Sequence, residues 1–250
     1  MGQLTNPAVV SDPAEQVRVA DADGVRTITI DRPEARNAMT LAMRERIAEL
    51  FTGAGENDGI DVVVITGADP SFSAGADIKE IRAPGGLPKR LDPTVAVRAC
   101  PKPTIAAVNG VCVTGALELA LACDLIVASE RARFGDTHAK AGLMPGWGMS
   151  AALPAAVGRR KAVELSLTGT LVDAPEALRI GLVNHVVPHD ALLPRTYELA
   201  QSIRANDQDA VRRQVDLFRR TQRLPFGDAL RLERDAADAW RARDGEAGNP

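Results

Sequence analysis

The sequence predicts an α/β fold in which buried parallel strands alternate with helices. Three runs rich in β-branched residues and alanine, at residues 62–66, 104–108 and 125–128, have no polar face. Such runs are typical of strands that are covered on both sides of a parallel sheet. Apolar residues at helical spacing lie between them. Alternation of this kind implies right-handed crossover connections.

The N-terminal part predicts an arm, a hairpin and a helix. Residues 1–14 are polar and are expected to form a mobile arm. Strand-like runs follow at residues 17–20 and 26–30, and residues 21–24 between them read Asp-Ala-Asp-Gly, which predicts a hairpin turn. Thr40 then fits the N-cap of an amphipathic helix.

The last third of the chain is predicted to be mostly helical. Gly169 and Gly181 stand where helix C-caps are expected, because glycine tolerates the left-handed conformation. A last strand is predicted at residues 182–187. The predicted organisation is a core over residues 15–190 and a helical region over residues 191–250. The predicted helices of this third are 149–157, 159–167, 174–180, 191–206, 209–221 and 226–243.

Composition limits the classes of function. The chain has 250 residues, 45% hydrophobic and only 3% aromatic, so a large aliphatic core is expected. A net charge of −3 without a strong basic field argues against nucleic acid as a partner. No apolar segment is long and uninterrupted enough to predict a membrane span. The three cysteines form no C-x-x-C pair, so we expect no disulfide framework, no zinc site and a location in the reducing cytoplasm.

A loop of small residues follows the first buried strand. Residues 72–80 read Phe-Ser-Ala-Gly-Ala-Asp-Ile-Lys-Glu. Small residues let a ligand approach the backbone closely, and the N–H groups at a helix start attract negative charge. The alternative is an ordinary tight turn with Asp77 as the N-cap of the next helix.

A second loop follows the next buried strand. Residues 109–118 read Asn-Gly-Val-Cys-Val-Thr-Gly-Ala-Leu-Glu and open a helix predicted over residues 115–123, in which Glu118 is the only ionisable residue. Apolar surroundings raise the pKa of a carboxyl toward neutral pH, where an acid–base catalyst works best. The alternative is a buried ion pair of Glu118 with Arg131 or Arg133.

The two loops share one design. Each places backbone N–H groups after a buried strand, at the start of a helix. Two such donors on one oxygen form an oxyanion hole, in which each donor contributes about 3–4 kcal/mol to transition-state stabilisation.

Four segments carry a resemblance to a known family. They are residues 31–38, which read Asp-Arg-Pro-Glu-Ala-Arg-Asn-Ala, the two loops, and a later stretch from Leu-Thr-Gly at 167–169 to residues 181–188. In this order and spacing they resemble the crotonase superfamily, the enoyl-CoA hydratase/isomerase group, over residues 17–195. The resemblance implies a spiral of ββα units, a helical C-terminal oligomerisation region, and a homotrimer or a dimer of trimers.

The resemblance also assigns the reacting groups. Matched by position, the oxyanion-hole donors are the N–H groups of Ala76 and Gly115. Glu118 matches the glutamate that activates the water added to C3 of a 2-enoyl thioester.

Further residues are assigned to the coenzyme A part of the substrate. Ala74, Asp77 and Ile78 lie along the loop that wraps the CoA arm and adenine in this family. Arg36 and Lys79 are candidates for phosphate or adenine contacts, and the alternative is that both are ordinary surface cations.

Two positions depart from the family pattern. His138 stands where the second catalytic glutamate of the hydratases is expected. It either pairs with Glu118 as an imidazolium that acts as the acid toward C2, or only packs and hydrogen-bonds Asp136. Trp147 replaces a residue that is usually small. It either caps the acyl pocket and restricts chain length, or packs in the core.

The predicted function is an enoyl-CoA hydratase that binds an acyl-CoA thioester. Neither a metal nor a separate cofactor is expected, since coenzyme A is part of the substrate. A dinucleotide-binding G-x-G-x-x-G and a hydrolase G-x-S-x-G are both absent from the sequence. The alternatives are another reaction of the superfamily (isomerisation, decarboxylation, dehalogenation or C–C cleavage), a non-catalytic CoA-thioester-binding protein, or an RNA-binding member of the fold.

Overall fold

A computed structural model describes residues 16–84 and 91–247 of the chain, so the predicted arm at residues 1–14 lies outside the described residues. The strands of the described part are β1 Val17–Ala22, β2 Val25–Ile30, β3 Val62–Gly67, β4 Ser71–Ser73, β5 Thr104–Val108, β6 Val111–Val113, β7 Leu125–Ser129, β8 Arg133–Gly135, β9 Val172–Asp173 and β10 His185–Val187. Its α-helices are α1 Leu41–Glu56, α2 Ile78–Ile81, α3 Thr94–Ala99, α4 Gly115–Ala122, α5 Met149–Val157, α6 Arg159–Thr168, α7 Ala174–Arg179, α8 Leu192–Arg204, α9 Gln208–Thr221 and α10 Phe226–Ala247.

From β3 to β8, successive strands alternate between two sheets. β3, β5 and β7 are neighbours in a six-stranded sheet of order β1-β2-β3-β5-β7-β10. β4, β6 and β8 are neighbours in a four-stranded sheet of order β4-β6-β8-β9. The pairing is parallel except between β1 and β2 and between β8 and β9. The chain therefore advances as a spiral of strand–strand–helix units, which confirms the predicted fold class.

The predicted hairpin and helix start are both confirmed. Asp23 and Gly24 have φ angles of 46° and 70°, so they form the two-residue turn between β1 and β2. Two positive φ angles suit the right-handed twist of the paired strands. Thr40 is the N-cap of α1, where its side chain accepts a hydrogen bond from Met43 N at 3.2 Å.

β3 is covered on both faces, as its unbroken apolar run predicts. Val63 and Ile65 belong to the main core, which lies between the six-stranded sheet and the helices of the spiral. Val62 and Val64 belong to a second core, which packs against α8. Because successive side chains of a strand point to opposite faces, each cluster takes alternate residues.

The strands of the second sheet and the last strand were not predicted correctly. The strands β4, β6, β8 and β9 have two or three residues each, too few to show a periodic pattern. The strand expected at residues 182–187 begins only at His185. Leu182 and Val183 are instead buried in the turn after α7, where Leu182 N donates to Ala177 O at 2.9 Å. Their apolar character therefore reflects core packing within a turn.

The C-terminal region is helical, as expected, and Arg219 is one of the residues that attach α9 to the core. No residue of α9 is buried. Arg219 of α9 binds both carboxylate oxygens of Asp124 at 2.8 and 2.6 Å and also donates to the carbonyl of Cys100. None of the described helices is both long enough and apolar enough to cross a membrane.

Asn37 is expected to stabilise the chain segment that leads into the first loop. Its φ is 55°, and its amide bonds Arg32 N, Ala68 O and Ser71 O at 2.6–2.8 Å while fully buried. Asn37→Ala leaves three buried groups without partners and should lower the free energy of unfolding by about 2–4 kcal/mol. Urea unfolding at a fixed protein concentration measures the change.

The matched control is Asn57→Ala, because Asn57 is exposed and its side chain accepts only from Gly59 N among the described residues. It should change stability by less than about 1 kcal/mol. Equal effects of the two substitutions would contradict the role given to Asn37.

Candidate active site

Backbone hydrogen bonds hold the first loop on both sides of Ala76. Met39 N donates to Gly75 O at 2.8 Å, and Asp77 N donates to Met39 O at 2.9 Å. These bonds bracket Ala76, whose own N–H has no hydrogen-bond acceptor within residues 16–84 and 91–247. The predicted donor is therefore available for a ligand.

The second loop presents Gly115 N at the first residue of α4, where a helix has no internal acceptor for it. The preceding residue, Thr114, has φ 52° and ψ −127°, a conformation that is rare for a β-branched residue. Such backbone strain costs about 1–3 kcal/mol and is concentrated at functional sites. Here it turns the chain from β6 into the helix.

The two loops touch each other at these residues. A Cβ added to Gly75, which has φ +94°, would lie 2.2 Å from the hydroxyl oxygen of Thr114 and 3.1 Å from Gly115 N. The Thr114 hydroxyl lies 3.0 Å from Ala74 O and 2.7 Å from Val113 O, so it can donate to either. Glycine and threonine at this junction therefore bring the two candidate donors to one place.

Glu118 lies one turn into α4 and is 2% exposed. Its Oε1 accepts hydrogen bonds from Trp147 N at 2.7 Å and Met149 N at 3.0 Å. Burial raises the pKa of Glu118 above its ordinary value, and the two backbone bonds and the charge of His138 only partly offset that effect. The sequence alternative of an ion pair with Arg131 or Arg133 is wrong, since among the described residues the ionisable side chain that pairs with Glu118 is His138.

His138 lies between two carboxylates. Its Nε2 is 3.6 Å from Glu118 Oε2, and its Nδ1 is 2.6 Å from Asp136 Oδ1. Burial alone would raise the pKa of Asp136, but hydrogen bonds from His138 and Ser166 bring it below the ordinary value. An ionised carboxylate only accepts hydrogen bonds, so Nδ1 carries a proton and Nε2 faces Glu118.

Trp147 lies against the second loop. A Cβ added to Gly115 would come within 2.6 Å of Cζ3 of the indole. The guanidinium carbon of Arg44 lies over the indole, 5.7 Å from the ring centroid. Any side chain at position 115 would therefore clash with the indole.

The residues assigned to the CoA loop differ in exposure. Asp77 is buried and its carboxylate is the N-cap of α2, as the turn alternative predicted. It also accepts from Arg32 Nη1 at 2.6 Å. Ile78 is 40% exposed, and Arg36 and Lys79 are exposed as well. Ala74 is half-buried, and its N donates to Arg36 O at 3.0 Å.

Sequence reasoning did not identify Thr114 or Arg44 as residues of this site. It considered Asp136 only as an alternative partner of His138. Arg44 had a detectable signal, because it is a charged residue on the buried face of α1, one turn before Ile47. The strain at Thr114 had none, since threonine is common in turns and strands. Within the described residues, no group of three His, Cys, Asp or Glu side chains is arranged to hold a metal ion.

The comparison with known proteins agrees with the early resemblance. A family model described as enoyl-CoA hydratase/isomerase matches residues 20–244. The chain belongs to the enoyl-CoA hydratase/isomerase family. The resemblance stated from the sequence motifs is thereby confirmed.

Relatives and solved structures of the family match most of the chain. A probable peroxisomal enoyl-CoA hydratase 1 of Arabidopsis thaliana is 37% identical over 92% of this chain and 88% of its own length. A crotonyl-CoA hydratase of Syntrophomonas wolfei is 34% identical over 89% of this chain and 88% of its own. The crystal structure of enoyl-CoA hydratase from Mycobacterium tuberculosis H37Rv is 44% identical with a TM-score of 0.78, and the match covers 91% of this chain and 99% of that chain.

Replacing His138 should raise the pKa of Glu118 further. The positive charge of His138 lowers that pKa, and His138→Gln removes the charge while keeping a polar side chain of similar length. A ¹³C NMR titration of the glutamate carboxyls, with the Glu118 signal assigned by its loss in Glu118→Gln, measures the change.

His189→Gln serves as the control. The ring of His189 bonds Ser129 Oγ and Asp69 Oδ2, each at 3.0 Å, and does not contact Glu118. A Glu118 pKa that stays constant or falls in His138→Gln would contradict the assigned pair.

Proposed function

We propose that this protein is an enoyl-CoA hydratase in which Glu118 and His138 act as a base–acid pair. One observation carries the proposal: a buried carboxylate and a buried imidazole face each other at 3.6 Å beside two loops with free N–H groups. The relatives named as hydratases support the same reaction. The substrate would be a 2-enoyl-CoA thioester, and no separate cofactor takes part.

The thioester oxygen would bind between the N–H groups of Ala76 and Gly115. Both donors lie at the junction of the loops, and neither has an acceptor within the described part of the chain. When water adds to C3, the electron pair of the C2–C3 double bond moves toward C1 and charge develops on this oxygen. Donors fixed there in advance stabilise that charge, each by about 3–4 kcal/mol.

Glu118 Oε2 is the atom placed to take a proton from the attacking water. Oε1 is already engaged by two backbone N–H groups, whereas Oε2 is directed to His138. The hydroxide oxygen bonds C3 while the water proton passes to Oε2. A pKa raised by burial makes the carboxylate a stronger base than an exposed glutamate.

Protonated His138 would then complete the addition. Its Nε2 gives a proton to C2, the enolate collapses to the 3-hydroxyacyl thioester, and neutral His138 remains beside protonated Glu118. A proton transfer from Glu118 Oε2 to His138 Nε2 restores the starting state. Asp136 keeps Nδ1 protonated throughout, so the reacting nitrogen is always Nε2.

The test is the hydration of crotonyl-CoA, followed by the loss of the conjugated thioester absorbance. Glu118→Ala and His138→Ala should each lower kcat about 10²-fold or more, because each removes one partner of the proton transfers. His189→Ala should retain the wild-type rate within about threefold, because this histidine bonds Ser129 and Asp69 and does not contact Glu118.

The outcomes separate the rival functions. Wild-type protein that binds CoA thioesters but hydrates no enoyl-CoA would contradict the hydratase and favour other enolate chemistry or a binding role. If Glu118→Ala loses hydratase activity while His138→Ala keeps full activity, His138 is not the acid. In that case His138 only packs and hydrogen-bonds Asp136.

We also propose that the protein assembles as a homotrimer or a dimer of trimers and works in the cytoplasm. Apolar side chains remain exposed along the C-terminal helices, with Phe218 at 73% and Phe226 at 79%. A groove of about 880 Å³ runs between α9 and the segment formed by α4, α5 and α8. A second copy of the chain would cover this surface. Cys100, Cys112 and Cys123 are free and buried, which suits a reducing compartment.

Phe218→Asp should dissociate the assembly to monomers, because a carboxylate in an apolar interface loses its solvation. Light scattering coupled to gel filtration measures the mass. Leu167→Asp, at an apolar residue of α6 that is 76% exposed, should keep a trimeric or hexameric mass. A monomeric wild type would refute the proposed assembly.

A further inference from the structure

The surroundings of Trp147 bear on which acyl group the site accepts, an inference that rests on the proposed function. The indole contacts both Gly115 and the guanidinium of Arg44, and we name these three residues the Arg44–Trp147–Gly115 stack. Trp147 is only half-buried, unlike the core aromatics Phe51, Phe72 and Phe134. A large ring that remains partly accessible beside a candidate active site is a candidate wall of that site.

The backbone of Trp147 is held by hydrogen bonds at both its N–H and its carbonyl group. Its N donates to Glu118 Oε1 at 2.7 Å, and its O accepts from Arg98 Nη2 at 2.5 Å and Thr94 Oγ1 at 3.2 Å. One end of the residue is therefore tied to the candidate base. The other end, the six-membered ring, lies on the Cα of a candidate oxyanion donor.

Arg44 holds the ring by a cation–π contact. The arginine is 2% exposed and is fixed by hydrogen bonds to Thr40 O at 3.3 Å and Leu91 O at 3.1 Å. Its Nη2 has no hydrogen-bond partner within the described residues and lies 3.8 Å from Glu80 Oε2. A desolvated guanidinium over an indole is among the stronger cation–π contacts. The ring is thus clamped and is not free to swing away.

We infer that the Arg44–Trp147–Gly115 stack closes the acyl end of the site and makes the enzyme selective for short acyl chains. The thioester oxygen at Gly115 N and the C2–C3 bond at Glu118 and His138 fix the path of the acyl group. Trp147 touches both fixed points, so carbon atoms beyond C3 meet the indole. A crotonyl group ends there, whereas a decenoyl chain has no room to continue.

The test compares chain lengths in two independent readouts. Calorimetry measures the binding of butyryl-CoA and decanoyl-CoA, which are saturated and cannot be hydrated. Kinetics give kcat/KM for crotonyl-CoA and trans-2-decenoyl-CoA. In an open apolar pocket each further buried methylene strengthens binding about fourfold. The wild type should bind decanoyl-CoA less than about tenfold more tightly than butyryl-CoA, far below the increase that an open pocket would give.

Trp147→Ala should raise the decenoyl-to-crotonyl ratio of kcat/KM about tenfold or more, because the chain can then bury several methylenes. Trp147→Phe keeps the core filled and should give a smaller gain. Arg44→Met should act in the same direction by releasing the ring. The ratio of the two kcat/KM values is compared because a folding defect would lower both activities together and leave their ratio unchanged.

The chain offers a matched control pair in its C-terminal helices. The guanidinium carbon of Arg213 lies 5.2 Å from the ring centroid of Trp240, the same type of contact away from the candidate site. Trp240→Ala and Arg213→Met should leave the chain-length ratio within about twofold of wild type, since neither opens the acyl end.

The results distinguish two failures. If the wild type binds decanoyl-CoA far more tightly than butyryl-CoA, or if Trp147→Ala leaves the ratio unchanged, this inference is wrong while the hydratase can stand. If the wild type binds neither saturated thioester, the proposed function fails and the inference fails with it.

Discussion

The carboxylate of Glu118 is almost completely removed from water, and the site is organised around that group. An ionised carboxylate that loses its hydration is costly unless hydrogen bonds and charge replace the water. The replacement comes from two later segments: the N–H groups of Trp147 and Met149, and the ring of His138. Both segments lie within the connection from β8 to the first residue of α5. The solvation of Glu118 therefore requires this connection to pack against α4.

The conformation of Gly148 allows the backbone to supply two of these hydrogen bonds. Two N–H groups two residues apart converge on one oxygen only when the residue between them turns the chain sharply. Gly148 has φ +114°, and a Cβ there would lie 2.6 Å from Nη2 of Arg98. That arginine also holds the carbonyl of Trp147. A single glycine thus couples the solvation of the carboxylate to the position of the indole.

Local sequence signals predicted the elements that have a local cause. The run of β3 is apolar throughout because both of its faces are covered, and the Asp-Gly pair at residues 23–24 marks a turn that needs two positive φ angles. The strands of the second sheet have no such cause. They are two or three residues long and exist because the spiral places them side by side, so their signal is in the tertiary structure.

The candidate site divides in the same way. Glu118 was detectable as a lone charge in an apolar helix, and His138 as a departure from a family pattern. Glu118 and Asp136 were expected as alternative partners of His138, whereas the structure shows both contacts at once. The backbone donors to Glu118, Trp147 N and Met149 N, were not predicted, because such contacts depend on a loop geometry that residue types do not specify. Arg44 lies far from Trp147 in sequence. The two meet because α1 packs against α3, and Thr94 and Arg98 of α3 bond the carbonyl of Trp147.

The two proposed oxyanion donors, at Ala76 and Gly115, are groups of the main chain. No exchange of one side chain for another deletes a backbone N–H, except at proline, whereas Glu118 and His138 can each be lost by a single codon change. Enolate stabilisation is therefore the mutationally robust half of such a site, and proton transfer is the variable half. A descendant of this chain could abandon hydration, keep its affinity for enolates, and acquire a different reaction by replacing a few side chains above an unchanged backbone.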